Sequence, residues 1–225
     1  MDKKQLEEGL ELAVQYDKRG GQVPVVVQDH VHGVIHSLGY ANSQALQETL
    51  AAKQPHLQDP SKRELWPYKN LAVAEVLVDC DQDALIYRCV GNAQDNFRPL
   101  ASPNDIQFDE KGLVPVIAQE IESKDVLMLG YANRQAVDTT VWDGYFTLWS
   151  TSRSELWTKG KTSGDYLVTK NILLQNEGDA VLCIVKMLGH GACHTKTQDK
   201  KTRKSCFYRR IAKDKQSLEF LQGMQ

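Results

Sequence analysis

Residues 22–29 read QVPVVVQD and residues 113–120 read LVPVIAQE, and the pentapeptide LGYAN occurs at both 38–42 and 129–133. Pro24 and Pro115, Leu38 and Leu129, and Trp66 and Trp157 all stand 91 positions apart. Glu64-Leu65-Trp66 and Glu155-Leu156-Trp157 keep that offset, whereas Asp83-Ala84 meets Asp179-Ala180 at 96, so the second copy is longer by five residues near 161–165. A repeat of this kind constrains the fold more than any composition, because the chain must build one unit twice. It reads as a tandem duplication, with a degenerate first copy over 1–98 and a second copy over 99–225 that includes a C-terminal tail.

Each copy has one coarse plan. A Val-Pro-Val strand (23–28; 114–119) leads to a second strand ending in Leu-Gly-Tyr-Ala-Asn, and a helix opens at the Asn (43–53; 134–142) with Asn42 and Asn133 as N-caps. Further strands are expected at 71–78 and 84–90 in the first copy, and at 166–174 and 180–187 in the second. Residues 97–105, with Pro99, Pro103 and Asn104, read as the connector. Residues 1–16 read as a polar amphipathic helix with Leu6, Leu10 and Ala13 on one side, and the tail as a short helix through Leu218 and Leu221. Copies of roughly 90 residues do not obviously enclose separate cores, and such pairs usually pack about a pseudo-two-fold axis. The expectation is an α+β protein, predominantly β, of two intertwined homologous repeats forming an intrachain pseudo-dimer that acts as a monomer.

The differences between copies are more telling than the likeness. The first has Asp79-Cys80-Asp81-Gln82-Asp83 where the second has Gln175-Asn176-Glu177-Gly178-Asp179. The second has Gly191-Ala192-Cys193-His194-Thr195 and then Ser205-Cys206-Phe207-Tyr208-Arg209, while the first has Phe97 at the place of Cys193 and no equivalent of Cys206. The second also holds WSTSRSELWTKGKTSG over 149–164, of which the first keeps only Ser61-Lys62-Arg63-Glu64-Leu65-Trp66. The losses are complementary, and independent decay would more often leave neither set whole. A site formed between the copies would still possess one complete set: three Asp and a Cys from the first, two Cys from the second.

Carboxylates suit Mg²⁺ and thiolates suit Zn²⁺. A calcium loop does not fit 79–90, which has Ala84 and Val90 where that loop needs Gly and Glu; an ordinary acidic turn after the apolar run 73–78 is the plain alternative. Three cysteines leave one tetrahedral position for water, the catalytic pattern. His194, beside Cys193, reads either as a general base for that water or as a surface histidine. His190 is a weaker candidate, His30, His32 and His36 are expected along an exposed strand, and Cys89 and Cys183 as packed thiols inside apolar strands. Arg153, Lys159 and Thr162-Ser163-Gly164 offer the donors that a phosphate needs. Residues 196–210 carry seven Lys or Arg against one Asp, either a solvated loop or a phosphate-binding rim. A net charge of −2 gives no reason to expect nucleic acid or membrane as partner, and there is no long apolar run or signal-peptide pattern. Five cysteines, unlike a secreted disulfide framework, indicate a cytoplasmic protein with reduced thiols. The pattern does not favour a cytidine-type deaminase, since no His-x-Glu accompanies a Cys-x-x-Cys pair.

With these residues assembled, the chain resembles the phosphoribosyl-AMP cyclohydrolase family of histidine biosynthesis. QFDEKGLVPVIAQ, WSTSRSELWTKGKTSG, GHGACHT and SCFYR carry the likeness within 107–210, and the family's acidic motif stands in the other copy as residues 79–85. The family is a homodimer that shares zinc ligands between subunits, so the resemblance implies a fused dimer keeping one of two sites. It implies Cys80, Cys193 and Cys206 as Zn²⁺ ligands, and Asp79, Asp81 and Asp83 as Mg²⁺ ligands. It implies Arg153, Lys159, Thr162 and Ser163 as contacts of the phosphates of a small phosphorylated nucleotide; Trp149, Ser150, Ser152, Glu155 and Gly164 of the same stretch are expected at the substrate with them, and His194, from its place beside Cys193, as the catalytic base. The implied reaction is hydrolytic opening of the N1-ribosylated adenine ring. Two other readings stand beside it: a non-catalytic zinc- or nucleotide-binding descendant, and a hydrolase of another N-substituted purine. The chain departs from the family in the longer Cys193–Cys206 spacing of thirteen, in one Arg missing from Ser150-Thr151-Ser152-Arg153, and in lacking a pyrophosphohydrolase domain.

Overall fold

The structure is a computed structural model that describes residues 2–58 and 65–225. Its chain divides into two compact units, Met1–Asp95 with Phe207–Gln225, and Asn96–Cys206. Residues 207–225, expected with the second copy, thus belong to the first unit. Residues 61–64 of the first copy's shortened motif lie outside the described residues.

The strands of the first unit before its tail are β1 (Val23–Asp29), β2 (Ile35–Ala41), β3 (His56–Gln58), β4 (Leu65–Pro67), β5 (Leu71–Val78) and β6 (Leu85–Gly91). The second unit follows with β7 (Phe97–Pro99), β8 (Val114–Glu120), β9 (Val126–Ala132), β10 (Thr147–Ser150), β11 (Glu155–Thr158), β12 (Leu167–Gln175) and β13 (Val181–Met187). The tail adds β14 (Arg209–Ile211) and β15 (Leu218–Phe220), and the helices are α1 (Lys3–Glu8), α2 (Ser43–Ala52) and α3 (Arg134–Asp143). The first unit's sheet runs β15-β14-β5-β6-β1-β2-β3-β4, and the second unit has β7-β12-β13-β8-β9 with the separate pair β10-β11.

The shared order β5-β6-β1-β2 and β12-β13-β8-β9 extends to register. Val25 faces Leu85 in parallel β1–β6, and Val116 faces Val181 in parallel β8–β13. These are the 91 and 96 offsets of the sequence. The antiparallel pairs carry matching bulges, at Val27/Gln28 and Ala118/Gln119 and at Val73/Glu75 and Thr169/Asn171. Val23, Val25, Val26 and Val27 are fully buried, as expected of a strand covered on both faces. Pro24 and Pro115 are tolerated because each precedes the first residue of its parallel ladder, where a missing N–H costs no rung. The core of the first unit gathers Val23, Val25 and Val27 with Leu46 of α2, Val76, Val78, Leu85, Tyr87 and the tail's Ile211 and Leu218.

The Asn N-caps are as the sequence predicts: Asn42 Oδ1 accepts from Ala45 N–H and Asn133 Oδ1 from Ala136 N–H, each at 2.8 Å. One turn further on, Thr49 Oγ1 accepts from His56 N–H and Thr140 Oγ1 from Thr147 N–H, tying each helix to the next strand. Gly39 and Gly130 leave room for the next strand's leucine: a Cβ on either would meet Cδ1 of Leu57 or Leu148 at 2.6 and 2.4 Å, and that side chain would have to shift.

Three local expectations are corrected. The N-terminal helix spans Lys3–Glu8 only and stops at Gly9; beyond it the backbone is claimed elsewhere, by Leu218 N–H on Leu10 O and by the Glu11–Ser217 bridge. The tail is a strand pair instead of a helix, because Asp214 accepts from Gln216 and Ser217 N–H and reverses the chain, which buries Ile211 and Leu218 together. His36 lies in interior strand β2 and is buried, its Nδ1 3.4 Å from Asp95 Oδ1, while His30 and His32 sit in the turn after β1.

That turn and its counterpart give a pH prediction. Asp29 accepts backbone N–H groups from His32 and Val31, which hold its carboxyl below the ordinary range against some burial. For Glu120 burial alone would raise the value, but Ser123 and Glu122 N–H groups, with Lys204, bring it down overall. Depressed folded values mean that this stabilisation is full above the unfolded carboxyl values of about 4 and is lost as pH falls through the folded ones. The urea midpoint is expected to fall between about pH 6 and about pH 3, with a shallower fall in Asp29→Asn; an unaltered slope in that variant would remove Asp29 from the account.

Candidate active site and metal donors

In the first unit the β5–β6 reversal carries the acidic loop. Asp79 Oδ1 accepts from Asp83 N–H at 2.9 Å and from Ala84 N–H at 3.1 Å, and Gln82 N–H returns to Asp79 O. This turns the Asp79, Cys80 and Asp81 side chains to one place, with one donor atom of each within 4.8 Å of the others. Asp79 and Cys80 are buried. Burial raises the Asp79 carboxyl well above the ordinary range, and the Asp83 and Asp81 charges raise it further. A pocket of carboxylates that resist ionising together is one that a cation would stabilise, so these donors fit a metal ion. Asp83 stands apart from the three: its Oδ2 lies 3.4 Å from Lys18 Nζ. The loop also has a neighbour that the sequence gave no reason to suspect, since a Glu7 carboxylate oxygen lies within 4.8 Å of one from Asp81.

The corresponding turn of the second unit keeps the frame with Gln175 and Asn176 in place of Asp79 and Cys80, while Glu177 and Asp179 keep carboxylates at the places of Asp81 and Asp83. Gln175 N–H reaches Ala180 O, Gly178 N–H reaches Gln175 O, and Gln175 Nε2 donates to Asp179 Oδ1 at 2.9 Å. Gly178 takes the positive φ (84°) that Gln82 takes in the first unit (51°).

The second unit supplies the thiol pair. Cys193 and Cys206, thirteen residues apart, are both buried. The residues between them zip as a hairpin: Ala192 N–H to Lys204 O, Cys193 N–H to Arg203 O, Arg203 N–H to Thr195 O, and Thr197 N–H to Lys201 O. Gly191 belongs to this base, since a Cβ there would meet Arg203 O at 2.4 Å. Cys193 Sγ lies 3.1 Å from Thr195 Oγ1, and Cys206 N–H donates to Leu127 O of β9 at 2.8 Å. His194 is exposed beside Cys193, with a ring nitrogen within 4.8 Å of Cys193 Sγ. Among the described residues no cysteine is in a disulfide; Cys89 and Cys183 are packed thiols, pushed up to about 12 by burial.

Most of the expected phosphate contacts lie toward the exposed tip of the β10–β11 hairpin and on the turn after it. Trp149 pairs with Leu156 and Ser150 with Glu155. Arg153 Nε bonds Ser150 Oγ at 3.3 Å and Glu155 Oε1 at 2.9 Å, and Ser152 Oγ lies 3.4 Å from Ser150 Oγ. Thr162, Ser163 and Gly164 are exposed, with Ser163 Oγ accepting from Asp165 N–H. Lys159 is elsewhere: it is buried, and its Nζ donates to Asp165 O at 3.1 Å. Burial lowers the Lys159 ammonium, while Asp165, Cys206 and Cys193 act in the opposite direction, so its charge lies in the field of both thiols. Asp165 Oδ1 in turn accepts from His190 N–H at 2.9 Å, which joins this segment to the strand leading into the thiol hairpin. The basic run divides. Arg203 and Arg209 are buried, Lys204 pairs with Asp125 at 2.8 Å and Arg210 with Glu75 and Glu219, leaving Lys196, Lys200 and Lys201 exposed.

Buried thiols beside an ammonium, and an acidic loop that a cation would relieve, are the donor sets of a metal-dependent enzyme. The phosphoribosyl-AMP cyclohydrolase family model matches residues 128–208. The chain is 46% identical over 110 residues to a phosphoribosyl-AMP cyclohydrolase of Archaeoglobus fulgidus, covering 95% of that protein and 49% of this one. It is 51% identical over 106 residues to one from Methanospirillum hungatei (76% and 47% covered), and 43% identical over 110 residues to a bifunctional histidine biosynthesis protein of Thermosynechococcus vestitus (49% of each). The chain belongs to the phosphoribosyl-AMP cyclohydrolase family.

The hairpin gives a prediction. Gly191→Ala forces the new methyl against Arg203 O, and overpacking of this kind costs about 1–3 kcal/mol. A urea unfolding curve should show the loss, together with faster alkylation of Cys193 and Cys206 in the native protein; unchanged thiol reactivity would mean that the hairpin does not protect the pair.

Proposed function

We propose that this protein is a phosphoribosyl-AMP cyclohydrolase in which two homologous repeats, fused as an intrachain pseudo-dimer, contribute to one Zn²⁺/Mg²⁺ site. The observation that carries the reading is the division of donors. Two turns share one hydrogen-bond frame, yet only the first has Asp79, Cys80 and Asp81, and the thiol hairpin is found only in the second copy. The matching strand order and the constant register offsets support the duplication. We place the enzyme in the cytoplasm with reduced thiols, acting on a small phosphorylated nucleotide. Among the described residues no helix is long and apolar enough to cross a membrane.

In this reading Cys80, Cys193 and Cys206 hold Zn²⁺, and Asp79 and Asp81, with Asp83 near, hold Mg²⁺. When bound, zinc supplies the Lewis acidity that makes water nucleophilic near neutral pH. His194 takes the proton that the attacking water gives up, from its exposed position beside Cys193. Water adds at carbon 6 of the N1-ribosylated adenine; the bond from carbon 6 to nitrogen 1 then breaks, and nitrogen 1 takes up the proton, leaving a carboxamide and a formimine. Arg153, Ser150, Ser152 and the Thr162-Ser163-Gly164 turn hold phosphate oxygens, Trp149 flanks the nucleotide, and Glu155 keeps the Arg153 fork in place. Lys159 offsets the charge of the thiolates from inside the fold.

The test is turnover of phosphoribosyl-AMP by the purified protein with Zn²⁺ and Mg²⁺, beside Cys80→Ala and Cys193→Ala. Each substitution is expected to lower activity by more than about 100-fold, at or beyond the upper end of what loss of a ligand-supporting group costs. Full activity in Cys80→Ala would sink the shared site, and zinc binding without turnover in the wild type would favour a binding protein. Sedimentation at the mass of a single chain would agree with the pseudo-dimer.

A further inference from the structure

Arg209 is fully buried; its guanidinium lies 5.1 Å from the Tyr208 ring centroid, and the hydrogen bonds of its fork go to carbonyls. Nη1 donates to Leu6 O at 2.9 Å and Gly9 O at 2.7 Å, and Nη2 to Asp79 O at 3.2 Å and Cys80 O at 3.0 Å. Nε is buried without a hydrogen-bond partner. β14 brings the side chain there by pairing Arg209 with Val78, the residue before the acidic loop. On the other side of the loop, fully buried Gln82 grips the same N-terminal segment. Its Oε1 accepts from Ala13 N–H at 2.8 Å, and its Nε2 donates to Glu11 O at 3.1 Å and to Leu6 O at 3.3 Å. Gln15 N–H closes the ring on Gln82 O at 2.7 Å, and Tyr208 Oη donates to Glu7 O.

We propose that Arg209 is a positioning residue for the acidic loop, and that together with Gln82 it makes residues 6–13 a fixed strap on that loop. The inference rests on the reading of Asp79, Cys80 and Asp81 as metal donors. A residue's carbonyl and its Cβ are set by one pair of backbone dihedrals, so holding the Asp79 and Cys80 carbonyls fixes where their side chains aim. A buried guanidinium with no carboxylate on it is costly, and a simple core position would be filled more cheaply by an apolar side chain. Its five-donor planar fork is what lets one residue hold four carbonyls from two segments, which a Lys ammonium cannot copy. The strap has a direct consequence for the site, because it is the element that brings Glu7 to Asp81.

The experiment uses the full-length protein and four forms: wild type, Arg209→Lys, Gln82→Ala and Asp81→Asn. Amide hydrogen exchange without metal reads the positioning. Arg209→Lys is expected to raise exchange in residues 6–13 and 79–84 together, and Gln82→Ala to do the same should Arg209→Lys fail to fold. Native protection in both segments overturns the proposal. Mn²⁺ titration followed by electron paramagnetic resonance reads the site, and Arg209→Lys is expected to weaken binding roughly 10- to 100-fold, as loss of a supporting group does. Affinity within about twofold of wild type, with Asp81→Asn abolishing binding, would make Arg209 structural only and overturn it. Unchanged affinity in Asp81→Asn removes the metal reading instead, and the exchange data then decide the strap alone.

Discussion

In each unit two strands far apart in sequence lie parallel, β1 against β6 and β8 against β13, and most of what surrounds them follows. Parallel neighbours cannot be joined by a tight turn. The chain leaving β1 must therefore travel outward through β2, the Asn-capped helix and the short strands before it returns along β5 and reverses into β6. Burial on both faces explains why β1 is an unbroken apolar run, and why its register is so strictly specified that the same residues pair again in the second unit. The reversal between β5 and β6 is where this constraint meets chemistry, because the acidic loop is the turn that delivers the chain to the central parallel strand.

That turn separates scaffold from the carboxylate at Asp79. Asp79 in one unit and Gln175 in the other occupy the same place and close the same reversal, the first by accepting N–H groups from Asp83 and Ala84, the second by bonding Asp179. A neutral amide stands at the place of Asp79 in the second unit and the backbone reversal is the same, so a carboxylate at that position is not needed to make the turn, although Asp179 is kept at the place of Asp83. The crowding of the first unit's carboxylates, with burial raising Asp79 and its neighbours raising it further, is a cost that folding alone does not explain. The second unit shows a related economy around Lys159, which uses one bond to Asp165 O for anchorage and leaves its charge facing the thiols.

What could be read from residues alone was what neighbouring residues decide. Asn42 and Asn133 mark their helices because the cap bond spans three positions, and Val-Pro-Val marks a strand start because the Pro falls just outside the parallel ladder. Leu6, Leu10 and Ala13 suggested a long helix and misled, since Leu10 O and Ala13 N–H are taken by Leu218 and Gln82 from distant parts of the chain. Leu218 and Leu221 suggested another helix, where the Asp214 turn makes a strand pair. Asp79, Cys80 and Asp81 could be singled out as candidate donors because their chemistry is carried by type, and the folded loop draws a donor atom of each within 4.8 Å of the others. Arg209, Gln82 and Glu7 could not be singled out: an Arg in a basic run looks solvated, and only the folded chain shows four carbonyls converging on it.

The hairpin between Cys193 and Cys206 bears on how such a chain tolerates change. Its rungs begin at the base, at Ala192 and Cys193, and end at a tip around residues 198–200. Antiparallel rungs repeat every two residues, so the tip can grow or shrink in such steps while the base keeps its alignment. Sequence distance between the two thiols is then a record of insertion history, with little bearing on how far apart the sulfurs sit. The same insulation makes the tip a natural port for grafting: an epitope or reporter peptide added there is held at arm's length from the residues that the base protects.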